Sequence, residues 1–98
     1  MSMENRIVEE ARLIILRALA EQPNESLSSE ILRQELASFA ISRERGWVHG
    51  QLDWLAEERA VTVTPVGSVR VATLAERGAR HLRREIAIEG VQRPSRPD

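Results

Sequence analysis

Apolar residues recur at two periods along the chain, and the change from one to the other sets out the elements. Ile7, Ala11, Ile14, Ile15, Ala18 and Leu19 fall three and four apart while Glu9, Glu10, Arg12 and Arg17 fill the positions between, which predicts an amphipathic helix over residues 4–21. Gln22-Pro23-Asn24 ends it. Leu27-Ser28-Ser29-Glu30 offers a hydroxyl cap with a carboxylate in the first turn, and Ile31, Leu32 and Leu36 follow, so residues 28–38 are expected to form a second, short helix. A third helix is expected to begin between Ser42 and Arg45 and to run to Glu58, with Val48, Leu52 and Leu55 on its core side.

The period then drops to two. Val61 and Val63 lie on one side of Pro65-Val66-Gly67-Ser68 and Val69 and Val71 on the other, the pattern of a β-hairpin. Thr73-Leu74-Ala75-Glu76 fits a capping box, predicting a last helix over residues 74–86 with Leu74, Ala75, Ala79, Leu82 and Ile86 inward. The closing GVQRPSRPD has two prolines and no period, so a domain over 1–89 and a flexible tail over 90–98 are expected.

Three helices, a hairpin and a closing helix are the element order of a winged helix-turn-helix, a mainly α, α+β fold. In that arrangement the third helix enters the major groove of DNA and the hairpin, or wing, lies along the backbone.

Composition narrows the alternatives. Ninety-eight residues at 42% hydrophobic content support one modest core. The chain has no cysteine and no paired-carboxylate, Ser-His-Asp, P-loop or dinucleotide pattern, so an enzyme is not expected, and neither is a cofactor. The acidic start and the lack of a long apolar run predict a soluble, cytoplasmic protein without membrane contact. The net charge of -1 hides an asymmetry: residues 1–41 carry 4 Arg against 7 Glu, and residues 42–98 carry 10 Arg against 8 acids. All 14 basic residues are arginine, which more often reflects a GC-rich coding sequence than a function.

The runs LDWLAEERAV, VATLAERG and GVQRPS together resemble a family of small winged-helix proteins of Mu-like phages and prophages, whose members are described as ArsR-like. The likeness covers residues 12–96 and implies a DNA-binding regulator. Two positions depart from the pattern: Arg59 stands where related winged helices carry a glycine at the helix end, and Ala75 where the family tends to threonine. Metal sensing is not carried over, because the only histidines, His49 and His81, are far apart and there is no thiol.

The third helix holds the candidate site. Its outer side presents Arg43, Gly46, Trp47, Gly50, Asp53, Trp54 and Glu57, flanked by His49 and Gln51. Arginines at its start and acids at its end oppose the helix dipole, and each glycine costs about 1 kcal/mol in a helix interior, which calls either for a close approach by DNA or a partner helix or for a frayed first turn with Gly46 outside the helix. Arg43 and Arg45 suit phosphate contact or a solvated pattern with Glu44. His49 and Gln51 suit base contact or ordinary packing. Trp47 reads as an exposed anchor, and Trp54 as packed against the hairpin or the first helix. Arg70 is the wing's one cation for phosphate.

Arg77, Arg80, His81, Arg83 and Arg84 form a basic stripe on the last helix, and Arg93 and Arg96 lie in the tail. The DNA-binding set is therefore Arg43, Arg45, Gly46, Trp47, His49, Gly50, Gln51 and Arg70. The expected partners are double-stranded DNA and a second copy of the chain, in a phage-encoded transcriptional regulator. The competing reading is a protein-interaction or assembly module for phage replication or packaging, favoured by the near-neutral charge and the acids of the third helix.

Overall fold

In a computed structural model the structure describes residues 2–95. Helix α1 spans Met3–Ala20, strand β1 Ser26–Ser28, α2 Ser29–Ser38, α3 Arg45–Glu57, β2 Val61–Val66, β3 Val69–Leu74 and α4 Glu76–Leu82. The strands form one antiparallel sheet in the order β1-β3-β2. This is a winged helix: α2 and α3 make the helix-turn-helix, and β2 and β3 make the wing.

Local chemistry explains most boundaries. Ser2 caps α1 by accepting from the Asn5 N–H at 3.0 Å, and Ser28 caps α2 by accepting from the Ile31 N–H at 3.2 Å. Helix α3 starts at Arg45 with Glu44 as its N-cap and no side-chain cap. Its far end is closed by backbone bonds from Arg59 N to Ala56 O and from Ala60 N to Leu55 O, both 2.9 Å, with Arg59 at φ 60°. Arg59 thus takes the left-handed conformation usually given to glycine, at a cost of about 1 kcal/mol. Between β2 and β3 only Gly67 and Ser68 are unpaired, and Gly67 at φ 60° fits the first central position of a tight hairpin turn.

The core collects Ile15, Leu16 and Leu19 of α1, Leu32 and Leu36 of α2, Val48, Leu52 and Leu55 of α3, Ala60 just before β2, and Val61 and Ala72 of the sheet. The stripe predicted for α3 is fully buried. Of the apolar residues of α2 that marked it as a helix, Leu32 and Leu36 face inward and Ile31 is half exposed.

Three features depart from the sequence reading. Strand β1 was not expected; Ser26, Leu27 and Ser28 pair with Thr73, Ala72 and Val71, making β3 the central strand. That pairing alters the start of α4. Thr73 is a strand residue whose hydroxyl lies 2.6 Å from the Ser26 hydroxyl, so no capping box forms, and α4 begins at Glu76 behind Ala75. It also ends early, at Leu82, where Arg84 turns left-handed at φ 63° and Glu85 N bonds Arg80 O at 2.9 Å.

The third departure is the C-terminal segment. Ile88 and Val91 belong to the core, and Pro94 is buried. Residues 90–95, assigned above to the flexible tail, form a strap: Gln92 N–H donates to Glu9 O at 3.1 Å, and Arg12 donates to Gly90 O at 2.9 Å. His81, fully buried rather than part of a basic stripe, pins the strap with both ring nitrogens. Nδ1 accepts from the Ile88 N–H at 3.0 Å and Nε2 donates to Gln92 O at 3.0 Å. Prolines prevented a periodic signal there, but apolar Ile88, Val91 and Pro94 supply the adhesion. Residues 96–98, the rest of the expected tail with Arg96, lie outside the described residues.

Candidate functional site

Burying Val48, Leu52 and Leu55 turns a stripe of Gly46, Gly50, Asp53 and Glu57 outward, all exposed. A Cβ placed on Gly46 or Gly50 would meet nothing within 4 Å. Neither glycine is therefore required by packing. Gly78 and Gly90 are different: a Cβ on Gly78 would fall on the Ala60 carbonyl oxygen, and one on Gly90, at φ 96°, would lie 2.7 Å from the Trp54 ring.

Three arginines surround the bare part of α3, and each is held by a carboxylate from another element. Arg43, just before α3, donates to Glu4 of α1 at 2.9 Å and lies over the Trp47 ring at 5.2 Å. Trp47 itself is partly buried against the core, so it supports Arg43 rather than projecting as a free anchor. Arg45 reaches the wing turn, donating to Ser68 O at 3.5 Å, with Glu30 of α2 at 4.0 Å. The Glu30 carboxylate is chiefly engaged elsewhere: Arg33 and then Gln34 bond it and lower its pKa to about 2. Arg70 of β3 folds back onto α3, donating to Asp53 at 2.5 Å and to His49 O at 3.5 Å.

His49 and Gln51 point inward. The fully buried Ser29 hydroxyl joins three elements: it accepts from the Arg70 N–H at 3.0 Å and lies 2.8 Å from His49 Nε2. Burial, then the charges of Arg70 and Arg45, push the His49 pKa below its ordinary value. Gln51 accepts from Arg12 Nε at 2.9 Å, on the α1 side. The same Arg12 stacks on Trp54 at 3.6 Å, so Trp54 packs against α1 and the strap. Arg12 was not singled out by pattern, although it joins α1, α3 and the strap. Burial lowers its pKa, and Glu9 and Glu58 oppose that shift.

The structure thus brings Arg43, Arg45, Gly46, Trp47, Gly50 and Arg70 to one side and turns His49 and Gln51 into internal struts. The arginines in and just after α4 are largely engaged within the fold. Arg77 donates to the Glu58 carbonyl at the end of α3, Arg83 pairs with Glu76 and Glu85, and Arg84 donates to Pro94 O. Among the described residues no group of three or more His, Asp or Glu side chains is placed to hold a metal ion, and no helix is long and apolar enough to cross a membrane.

Comparison with solved structures finds the same architecture. A winged-helix DNA-binding protein from STIV superposes with a TM-score of 0.59 at 23% identity, over 74% of this chain and 79% of that one. A MarR family transcriptional regulator from Streptomyces coelicolor, solved in complex with DNA, superposes with a TM-score of 0.55 at 21% identity, over 84% of this chain and 60% of that one. At such identities the likeness is one of fold. No family model matches the chain. In sequence it is 39% identical over 88 residues to the protein gp26 of Escherichia phage Mu, across 90% of this chain and 91% of gp26. Identity at that level along nearly the whole of both chains is family likeness: the chain belongs to the family of the phage Mu protein gp26.

Proposed function

We propose that the chain binds double-stranded DNA as a phage-encoded transcriptional regulator, with the first two turns of α3 in the major groove and the wing on the backbone. The observation that carries this reading is the bare outer face of α3. Gly50, inside the helix, costs about 1 kcal/mol against alanine, and Gly46, in the first turn, costs less; neither relieves an internal contact, and Arg43, Arg45 and Arg70 border them. Removing side chains there lets a duplex approach the helix backbone while flanking guanidinium groups meet phosphates. The Streptomyces regulator of the same fold, solved with DNA, supports it.

One copy supplies few cations, so a homodimer acting on two half-sites completes the proposal. The ArsR-like label carries no metal chemistry here. Asp53 and Glu57 on the same stripe favour the second reading, a protein-interaction or assembly module of the phage, since acids repel phosphate.

Fluorescence anisotropy of a labelled random duplex, and of DNA from the chain's own locus, separates the two across a salt series. The DNA-binding reading expects affinity to fall with salt at a slope reporting several phosphates, and an Arg43→Ala/Arg45→Ala variant to bind more weakly. No binding at low salt leaves the interaction module.

A further inference from the structure

We infer that Asp53 is a built-in competitor for DNA phosphate, holding the wing's cation in an ion pair that must open before the wing engages a duplex; this rests on the DNA-binding reading above. Gly46 and Gly50 carry no side chain, so Asp53 presents the first carboxylate along the exposed stripe of α3. It is the more exposed member of its pair, 58% against 33% for Arg70. Arg70 is the only cation in β2 and β3. Its backbone N–H is fixed to the buried Ser29 hydroxyl, and its guanidinium lies on the Asp53 carboxylate and the His49 carbonyl rather than extending from the wing.

The other two arginines of the face are held differently. Glu4 and Glu30 belong to α1 and α2, and Glu30 already carries two bonds from Arg33. Of the three carboxylates that pair these arginines, Asp53 alone sits on the exposed stripe of α3, where it both repels phosphate and occupies the guanidinium a phosphate would bind. An ion pair this exposed is weak enough to exchange. It therefore lowers affinity for any duplex and sharpens the requirement for additional contacts, without locking the site.

The test is the affinity of a random 20-base-pair duplex, over a salt series, for the wild type, Asp53→Asn, Arg70→Gln, their double variant and Glu57→Gln, with far-ultraviolet dichroism to verify folding. Glu57 is on the same stripe and forms no ion pair among the described residues, so it reports charge removal alone. Asp53→Asn is expected to tighten binding roughly threefold to fivefold, the strength of an exposed pair. It should also steepen the logarithmic salt slope by about 0.9, one added phosphate contact. In the Arg70→Gln background, and for Glu57→Gln, the gain should stay below about twofold.

An equal gain with and without Arg70 overturns the inference, as does weaker binding by Asp53→Asn, which would make Asp53 a direct contact to the DNA. If the wild type binds and Asp53→Asn is unchanged, the inference fails while the DNA-binding reading stands. If no variant and no wild type binds, both fail.

Discussion

The packed interior and the open wing side of α3 treat glycines and arginines in opposite ways. Away from the wing, Gly78 of α4 and Gly90 of the strap are forced by close approach, one to the Ala60 carbonyl and the other to the Trp54 ring, and Arg12 of α1 is bound to α3 and the strap at once. On the wing side, Gly46 and Gly50 face open space, and Arg43, Arg45 and Arg70 are held by solvent-exposed pairs. Packing explains the first set completely. It leaves the second without an internal cause, and an arrangement that costs stability without serving the fold points to an external partner.

Substitutions that separate the two sides sharpen the contrast. The largest effect is expected for His81→Ala, which strands the buried Ile88 N–H and the Gln92 carbonyl and frees the strap. A loss on the order of 3 kcal/mol in urea unfolding, with faster amide exchange at Ile88 and Gln92, follows from two unsatisfied groups. An exchange rate unchanged from the wild type would mean that the strap is held without the histidine. Gly78→Ala comes next, because its methyl must displace the backbone at Ala60; a loss of about 1–3 kcal/mol is expected from overpacking. A neutral Gly78→Ala variant would erase the distinction between the two glycine sets.

The smallest effect concerns the strut beneath the wing. Burial and the neighbouring Arg70 and Arg45 keep the His49 pKa below 6.5, so the unfolded chain binds the proton more readily than the folded one. The contribution is fully present above pH 6.5 and shrinks as the pH falls from there toward the lowered folded value. The wild type should therefore lose more stability between pH 7 and pH 5 than His49→Gln does, by denaturant midpoints at each pH. Parallel pH profiles would show that His49 is not proton-linked to folding.

Much of this contrast lies outside what a linear pattern can carry. The buried stripe Val48, Leu52 and Leu55, the Ser28 cap and the hairpin were legible because each depends on neighbours within a few residues. The unusual Arg59 was legible as a departure, and the backbone resolves it by adopting the glycine conformation unchanged. Strand β1 was hidden because three residues without alternation become a strand only when β3 lies beside them. The same pairing took Thr73 from the capping box. The strap was hidden by its prolines, which remove the period while leaving Ile88 and Val91 to pack.

In the candidate site, residue types and the exposed face were legible, but occupancy was not. Gln51 is claimed by Arg12, 39 residues away in sequence, and His49 by Ser29, 20 residues away. The ion pairs that hold Arg43 and Arg70 close over separations of 39 and 17 residues. No local spacing announces them, so arginines that look free in the sequence are already engaged in the fold.

The central claim, that the bare face of α3 exists for DNA, is tested most directly by measuring stability and duplex affinity together for Gly46→Ala/Gly50→Ala. Open space at both positions predicts a more stable protein, by about 1 kcal/mol at Gly50 inside the helix and by less at Gly46 in its first turn. A duplex seated against the helix predicts that the same variant binds DNA roughly tenfold more weakly, a change of about 1.4 kcal/mol. A variant that is stabilised and binds DNA as tightly as the wild type would contradict the account.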